Sequence, residues 1–152
     1  MQKLCALKNE IEARSTNFMY KFMVDKCTAD IYFILEDYKN AFKLFKKLKK
    51  DCEYENFYKE KIICYQRIGR IQRAKRNYAE AVRAFKKMMS LAWMERDTNL
   101  EAKAYEELAV DYFYLGEIGK SEYYHERFMR GKTENDTSIA KNVAINQIKT
   151  KR

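Results

Sequence analysis

Apolar residues recur at spacings of three and four along this chain, and the pattern repeats every forty residues. Ala29, Gly69 and Ala109 fall in register, as do Tyr32, Gln72 and Tyr112. The same step matches Tyr38, Tyr78 and Ile118, then Ala41, Ala81 and Ser121. It also matches Phe45, Phe85 and His125, then Leu48, Met88 and Phe128. Small residues recur where helices must approach closely, and large apolar residues recur between them. A fixed period of this size marks a stacked array of helix pairs. One pair cannot bury its own apolar face, so neighbours share a continuous core.

The spacing predicts six paired helices. The first pair covers residues 17–35, with Phe22, Val24, Ile31 and Phe33 among its apolar positions, and residues 38–50, with Ala41, Phe42, Leu44, Phe45 and Leu48 inward. Asp37 punctuates the turn. The second pair covers residues 57–75 and 78–93, with Ala81, Phe85 and Met88 as a seam. Asp97 or Thr98 is an expected N-cap for the third pair, residues 100–115 and 118–129, and Gly116 an expected helix-ending glycine. Residues 1–16 read as a separate flanking helix whose Leu4, Leu7 and Ile11 pack on the first pair. Residues 131–138 read as a polar linker. Ile139, Ala140, Val143, Ala144 and Ile148 then space like a final helix capping the stack, before a basic tail. The expected division is therefore 1–16, 17–130 and 131–152.

Composition supports an all-helical chain of one domain. There is no proline and there are four glycines in 152 residues, and both types weaken helix interiors. No Asn-Gly or Asp-Gly hairpin signal competes. Four cysteines, Cys5, Cys27, Cys52 and Cys64, lack zinc spacing and have one histidine to join them. They read as reduced, buried thiols. Neither a secretory signal nor a membrane-spanning apolar run is found, so a soluble cytoplasmic protein is expected. A net charge of +9 suits an anionic partner or reflects codon usage alone.

The third unit carries a family resemblance. Tyr105, Leu108, Ala109 and Tyr112 follow the order aromatic, leucine, small, tyrosine, and the stretch around them resembles a tetratricopeptide repeat. Tyr65, Ile68 and Gly69, then Tyr78, Ala81, Phe85 and Met88, repeat it in the second unit, and Ala29, Tyr32, Tyr38, Ala41 and Phe45 in the first. The usual closing proline is missing, and Gln72 and His125 replace aromatics. The family's common period is about 34 residues. The forty-residue step resembles its long-period subgroup, found in cell-polarity adaptors and in several ciliary and flagellar proteins. The resemblance implies an α-solenoid of about three tetratricopeptide-like pairs with flanking N- and C-terminal helices.

It also implies where function lies. In the family the first helix of each pair lines a concave groove. Matched positions are Lys26, Asp30 and Phe33, then Gln66, Arg70 and Arg73, then Lys103, Glu106, Phe113 and Tyr114. Arg67, Arg70 and Arg73 are three apart and form a stripe suited to bidentate carboxylate binding, or a solvated face paired with nearby acids. The expected role is a non-catalytic scaffold or adaptor that takes a partner helix or acidic peptide. Two rivals are a structural subunit of a ciliary or cytoskeletal assembly and a nucleic-acid binder using the basic surface. Lys43, Lys46, Lys47, Lys49, Lys50, Lys86 and Lys87 supply that surface. Tyr123, Tyr124 and His125 are expected to pack on the final helix, and Trp93 to anchor neighbouring units. No nucleophile–base pair, phosphate loop or metal set is seen, so no cofactor, membrane or small-molecule partner is expected.

Overall fold

The computed structural model describes the backbone at residues 2–55 and 57–150, and the side chains there except those at 54, 55, 135, 138, 139 and 148–150. Six helices account for almost all of it: α1 Gln2–Ile34, α2 Tyr38–Glu55, α3 Tyr58–Ala74, α4 Tyr78–Met94, α5 Thr98–Tyr114 and α6 Ile118–Thr150. No strand occurs among the described residues.

One turn design ends four of the helices. Glu36, Arg76, Arg96 and Gly116 have positive φ, between 54° and 77°. The next N–H in each case returns to a carbonyl five residues back: Asp37 to Tyr32, Asn77 to Gln72, Asp97 to Ala92 and Glu117 to Tyr112, at 2.8–3.0 Å. This bond and its shorter companion, such as Glu36 N–H to Phe33 O, form the Schellman motif, which satisfies carbonyls orphaned at a helix end. Asp37 and Asp97 then cap the following helices, accepting from the Asn40 and Leu100 N–H groups at 3.2 Å. Asn77, at the equivalent place, makes no side-chain cap bond. The turns at 36, 76 and 116 are the forty-residue repeat expressed in backbone.

Two compact units divide the chain, Met1–Ile71 and Gln72–Arg152. In the first, α1 packs on α2 around Phe22, Ala29, Ala41, Phe45, Leu48 and Cys52, with Cys64 and Ile71 from α3. Ala29 and Ala41 are fully enclosed, as the repeat alignment requires of positions where helices approach closely. In the second unit α5 packs on both α4 and α6. Ala81, Phe85, Met88 and Ala92 of α4 and Ala104, Leu108, Ala109 and Tyr112 of α5 form its core. On α6, Ser121 is half-buried and donates to the Ala109 carbonyl at 2.7 Å, but His125 is exposed.

Both expected breaks at the chain's flanks are absent. The sequence predicts a separate helix over residues 1–16, yet α1 is unbroken from Gln2 to Ile34. The Thr16 hydroxyl donates to the Glu12 carbonyl at 2.9 Å, so this polar stretch bonds within the helix. Leu4, Leu7 and Ile11 do not pack on the first pair; they are 53–72% exposed. The expected linker at 131–138 is likewise helical, an uninterrupted part of α6. Thr133 and Thr137 donate to Met129 and Thr133 carbonyls, and no proline forces a break. Polarity alone does not end a helix whose interior offers hydroxyls a place to bond. The expected cap therefore belongs to α6, with Ala140, Val143 and Ala144 exposed, while the Ile139 and Ile148 side chains lie outside the described residues.

Candidate functional site

The first helices of the pairs carry every residue expected to meet a partner. In the first unit, Lys26 and Asp30 are one helical turn apart and pair at 3.3 Å. Arg67, from α3, approaches the same carboxylate at 2.9 Å, and its guanidinium also donates to Gln66 at 3.3 Å. Asp30 thus ties two of the three expected cations, and Gln66, into an intrachain network. Arg70 is half-buried on the same helix. Phe33 is half-buried against the core, its ring 5.6 Å from that of Tyr38.

In the second unit Arg73 is committed inward more completely. Its Nε donates to Asp111 Oδ1 at 2.7 Å, and one terminal nitrogen reaches Asp111 Oδ2 at 3.1 Å and the Glu107 carboxylate at 2.8 Å. The guanidinium also lies over the Phe85 ring, 5.1 Å from its centre. Asp111 is wholly buried and Glu107 almost so. Burial pushes the Asp111 carboxyl above its ordinary pKa, against the pull of Arg73 and with the help of Glu107's charge. Burial pulls the Arg73 guanidinium down, and the Asp111 hydrogen bond and charge, with Glu107, more than reverse it. An arginine held this way is a packing and pairing residue before it is a contact for anything else.

The sequence reading missed Asp111 and Glu107. A signal was available. Asp111 sits three residues after Leu108 and seven after Ala104, on the stripe that must be buried, and a carboxylate there needs a cation. Arg73 lies 38 residues upstream, close to one repeat step.

What remains open is aromatic. Phe113 and Tyr114 at the end of α5 are 61% and 57% exposed. Tyr114 stacks on Tyr78 at 4.8 Å, and Phe113 meets Tyr114 edge-on at 6.0 Å. Both line a groove of about 390 Å³ with Glu106, Ala109 and Val110 of α5 and Ser121, His125 and Phe128 of α6. Lys103 is exposed on α5 one turn before Glu106. A second cleft, of about 360 Å³, lies between α4, α5 and α6 and holds Trp93, Tyr105, Tyr123, Tyr124 and Arg127. Trp93 is 69% exposed there and so does not act as the buried anchor expected of it. Tyr124 stacks on Tyr112 and Tyr105, whereas Tyr123 and His125 stay exposed rather than packing on a final helix. Burial and a hydrogen bond to Glu101 raise the Tyr105 hydroxyl's pKa, and Arg127 lies over the Tyr105 and Tyr123 rings.

Among the described residues no group of three or more His, Cys, Asp or Glu side chains could hold a metal ion, and no helix is long and apolar enough to cross a membrane. No protein-family model matches the chain, and no curated protein matches it. Among solved structures, the crystal structure of the tetratricopeptide-repeat (TPR) domain of Arabidopsis FLU is similar to it. That likeness covers 78% of this chain and 98% of that chain, at 15% identity and a TM-score of 0.71. The fold is thus an all-α helical-repeat solenoid of the tetratricopeptide type.

Proposed function

We propose that this protein is a non-catalytic interaction scaffold that captures an amphipathic helix of a partner protein on its first-helix faces. The observation that carries the reading is the exposed pair Phe113 and Tyr114 beside the α5–α6 groove. Exposed aromatics flanking an apolar groove are what a docked helix covers, with anchors at three- and four-residue spacing. A helix is favoured over an acidic peptide because Arg67 and Arg73 already hold intrachain carboxylates. Lys26 is engaged in the same way; on this reading Lys103 and Glu106 flank the groove on α5, and Phe33, Gln66 and Arg70 belong to a partner surface of the first unit considered by itself. The forty-residue step of the turns supports a place in the long-period subgroup, and with it a cytoplasmic adaptor or a subunit of a cytoskeletal or ciliary assembly.

The test is selection of helical peptides from a displayed library on immobilised protein, repeated with Phe113→Ser plus Tyr114→Ser. Enrichment of amphipathic sequences on the parent and its loss on the variant is the expected result. Equal enrichment on both would remove the groove from the reading. Retention of RNA or DNA on a filter at physiological salt, without peptide selection, would move the function to the basic surface.

A further inference from the structure

The cleft between α4, α5 and α6 continues past its aromatic residues to a basic end. All of it lies within the second unit. Its floor is a ladder of tyrosines: Tyr124 stacks on Tyr112 with centres 5.6 Å apart and planes parallel, and on Tyr105 at 6.0 Å. At one end Lys86 of α4 and Lys120 of α6 reach over the Tyr112 ring, their ammonium groups 5.8 and 5.3 Å from its centre. At the other end stand Trp93, and Arg127 over the Tyr105 ring. One spacing sets both ends. Lys86 to Trp93, Lys120 to Arg127 and, in the opposite sense along the intervening α5, Tyr112 to Tyr105 are each seven residues, which is about two helical turns or roughly 10 Å. The groove is therefore basic at one end and aromatic at the other.

The basic end is built to hold an anion. Tyr112 is 4% exposed, and its hydroxyl makes no hydrogen bond among the described residues. That hydroxyl nonetheless reaches the surface, since no sealed side-chain oxygen there lacks a partner. The Tyr124 hydroxyl is in the same condition. Burial holds it above its ordinary pKa, so it stays protonated and can donate. Lys86 has no carboxylate partner among the described residues, and Lys120 meets Glu117 at 2.6 Å on the exposed surface. Two ammonium groups and two phenolic donors thus gather around one stack of rings. A phosphodiester brings a single charge to such a place, whereas a terminal phosphate brings about −1.5 to −2 at pH 7. The aromatic end suits a flat ring. Trp93 is exposed, and the Arg127 guanidinium, with no carboxylate partner among the described residues, adds a second flat face. Glu101 accepts the Tyr105 hydroxyl through Oε1, which leaves Oε2 to accept from a ring amino group.

We propose that this groove binds a free purine nucleoside diphosphate, with the base on Trp93 and Arg127 and the terminal phosphate on Lys86, Lys120 and the Tyr112 hydroxyl. An extended nucleoside diphosphate spans the two turns between the ends. A phosphotyrosine, whose phosphate hangs on the ring's own oxygen, is too short to reach both. The cavity of about 360 Å³ at the aromatic end is within the range of small-ligand sites between helices. This site is separate from the helix-docking groove beside Phe113 and Tyr114. His125 lines that groove, and Tyr123 and Arg127 each lie two residues from His125, about 200° around α6. Either site can therefore be filled without the other.

Trp93 is the only tryptophan in the chain, so its fluorescence reports on the site directly. ADP and GDP titrated into the intact chain should quench it saturably, after correction for absorption by the ligand. Lys86→Gln plus Lys120→Gln, both at exposed positions, should weaken ADP by about tenfold or more and leave the poorer binding of adenosine unchanged. Tyr112→Phe keeps the buried ring and removes its donor. It should weaken ADP several-fold with no loss of helical circular dichroism. Pyrophosphate should displace ADP without quenching. An absence of quenching by either nucleotide at millimolar concentration overturns the proposal, as does quenching that the lysine pair does not affect. A single-stranded oligoadenylate that binds more tightly than ADP overturns the free nucleotide and gives the groove to a nucleic-acid strand. UDP binding as tightly as the purines overturns the role of Glu101. Peptide selection on the Phe113 and Tyr114 variant reports on the other groove alone.

Discussion

Arg73 Nε and Asp111 Oδ1 meet at 2.7 Å, with the carboxylate completely enclosed between α5 and its neighbours. Two charges taken out of water are costly, and their attraction repays the cost only when the geometry is good. Here the guanidinium meets both carboxylate oxygens, takes in Glu107 and lies on Phe85. Removing one partner leaves the other buried and unpaired. Arg73→Met should therefore destabilise the protein by about 3–5 kcal/mol, while Arg73→Met combined with Asp111→Leu and Glu107→Gln should recover most of that loss. Urea midpoints of the variants, read as a mutant cycle, check this; a triple variant as unstable as the single one would show that the pair itself, not the orphaned charge, sets the cost.

The same carboxylate gives stability an unusual dependence on pH. Burial raises the folded-state pKa of Asp111 above the unfolded value, which is about 3.9. As pH rises past that value the unfolded chain releases the proton first, and the folded chain binds more protons. Stability contributed by this residue is therefore greatest at low pH and falls through the window just above the ordinary carboxylate range. Urea midpoints measured from about pH 4 to about pH 6 should show a downward component in the parent that Asp111→Asn lacks. A steeper fall in the Asp111→Asn variant would contradict the assignment.

Three of the four helix-ending turns place a charged residue where glycine is at ease. Glu36, Arg76 and Arg96 sit at φ of 60°, 63° and 54°, whereas Gly116 fills the fourth at 77°. A side chain in the left-handed region crowds the following carbonyl. Glu36→Gly, Arg76→Gly and Arg96→Gly should each stabilise by about 0.5–1 kcal/mol, and Gly116→Ala should cost about 1 kcal/mol. Gly116→Ala would meet nothing within 4 Å, so its cost isolates the backbone effect. Thermal midpoints of the four variants, compared in one buffer, decide the matter; a destabilising Arg76→Gly would mean its side chain contributes more than its φ costs.

The turns also explain what could be read from the sequence. Periodicity located α2–α5 within a few residues, because small residues at 29, 41, 69, 81 and 109 mark close approach and leave a trace every forty residues. Gly116 and Asp97 were legible because a glycine after an apolar run and an Asp before one have few other uses. Glu36, Arg76 and Arg96 were not, since nothing in a charged residue advertises positive φ. The flanks misled for another reason. A polar stretch such as 131–138 looks like a linker, but lysine, glutamate and back-bonded threonines continue a helix readily. The arginine stripe was visible, yet its use was not: spacing reports that Arg67 and Arg73 share a helix face, whereas Asp30 and Asp111 decide what they do.

The cysteines separate into two chemical classes. Cys5 and Cys27 are exposed on α1, whereas Cys52 and Cys64 are buried and hydrogen-bonded to each other. That hydrogen bond and burial push the Cys64 thiol far above its ordinary value, and the same bond lowers Cys52. A thiol must ionise and be reached before it reacts. Ellman's reagent should titrate two thiols promptly in the native protein and the other two only as fast as the chain unfolds. Four prompt thiols would show that the core around Cys52 and Cys64 opens without global unfolding.

Gly131 offers a direct check on the unbroken α6. A helix-interior glycine costs about 1 kcal/mol relative to alanine, because the unfolded chain keeps more freedom. A Cβ built on Gly131 would meet the Ala102 Cβ at 3.5 Å, an ordinary contact that also adds apolar surface between α5 and α6. If residues 131–138 are helical, Gly131→Ala should raise stability by about 0.5–1 kcal/mol and leave or increase the helical circular dichroism signal. In a linker the same substitution would gain nothing from helix propensity and the helical signal would not move. A Gly131→Pro variant sharpens the contrast: within a helix it should cost about 3 kcal/mol and remove helical signal from the segment beyond, whereas a linker would accept it.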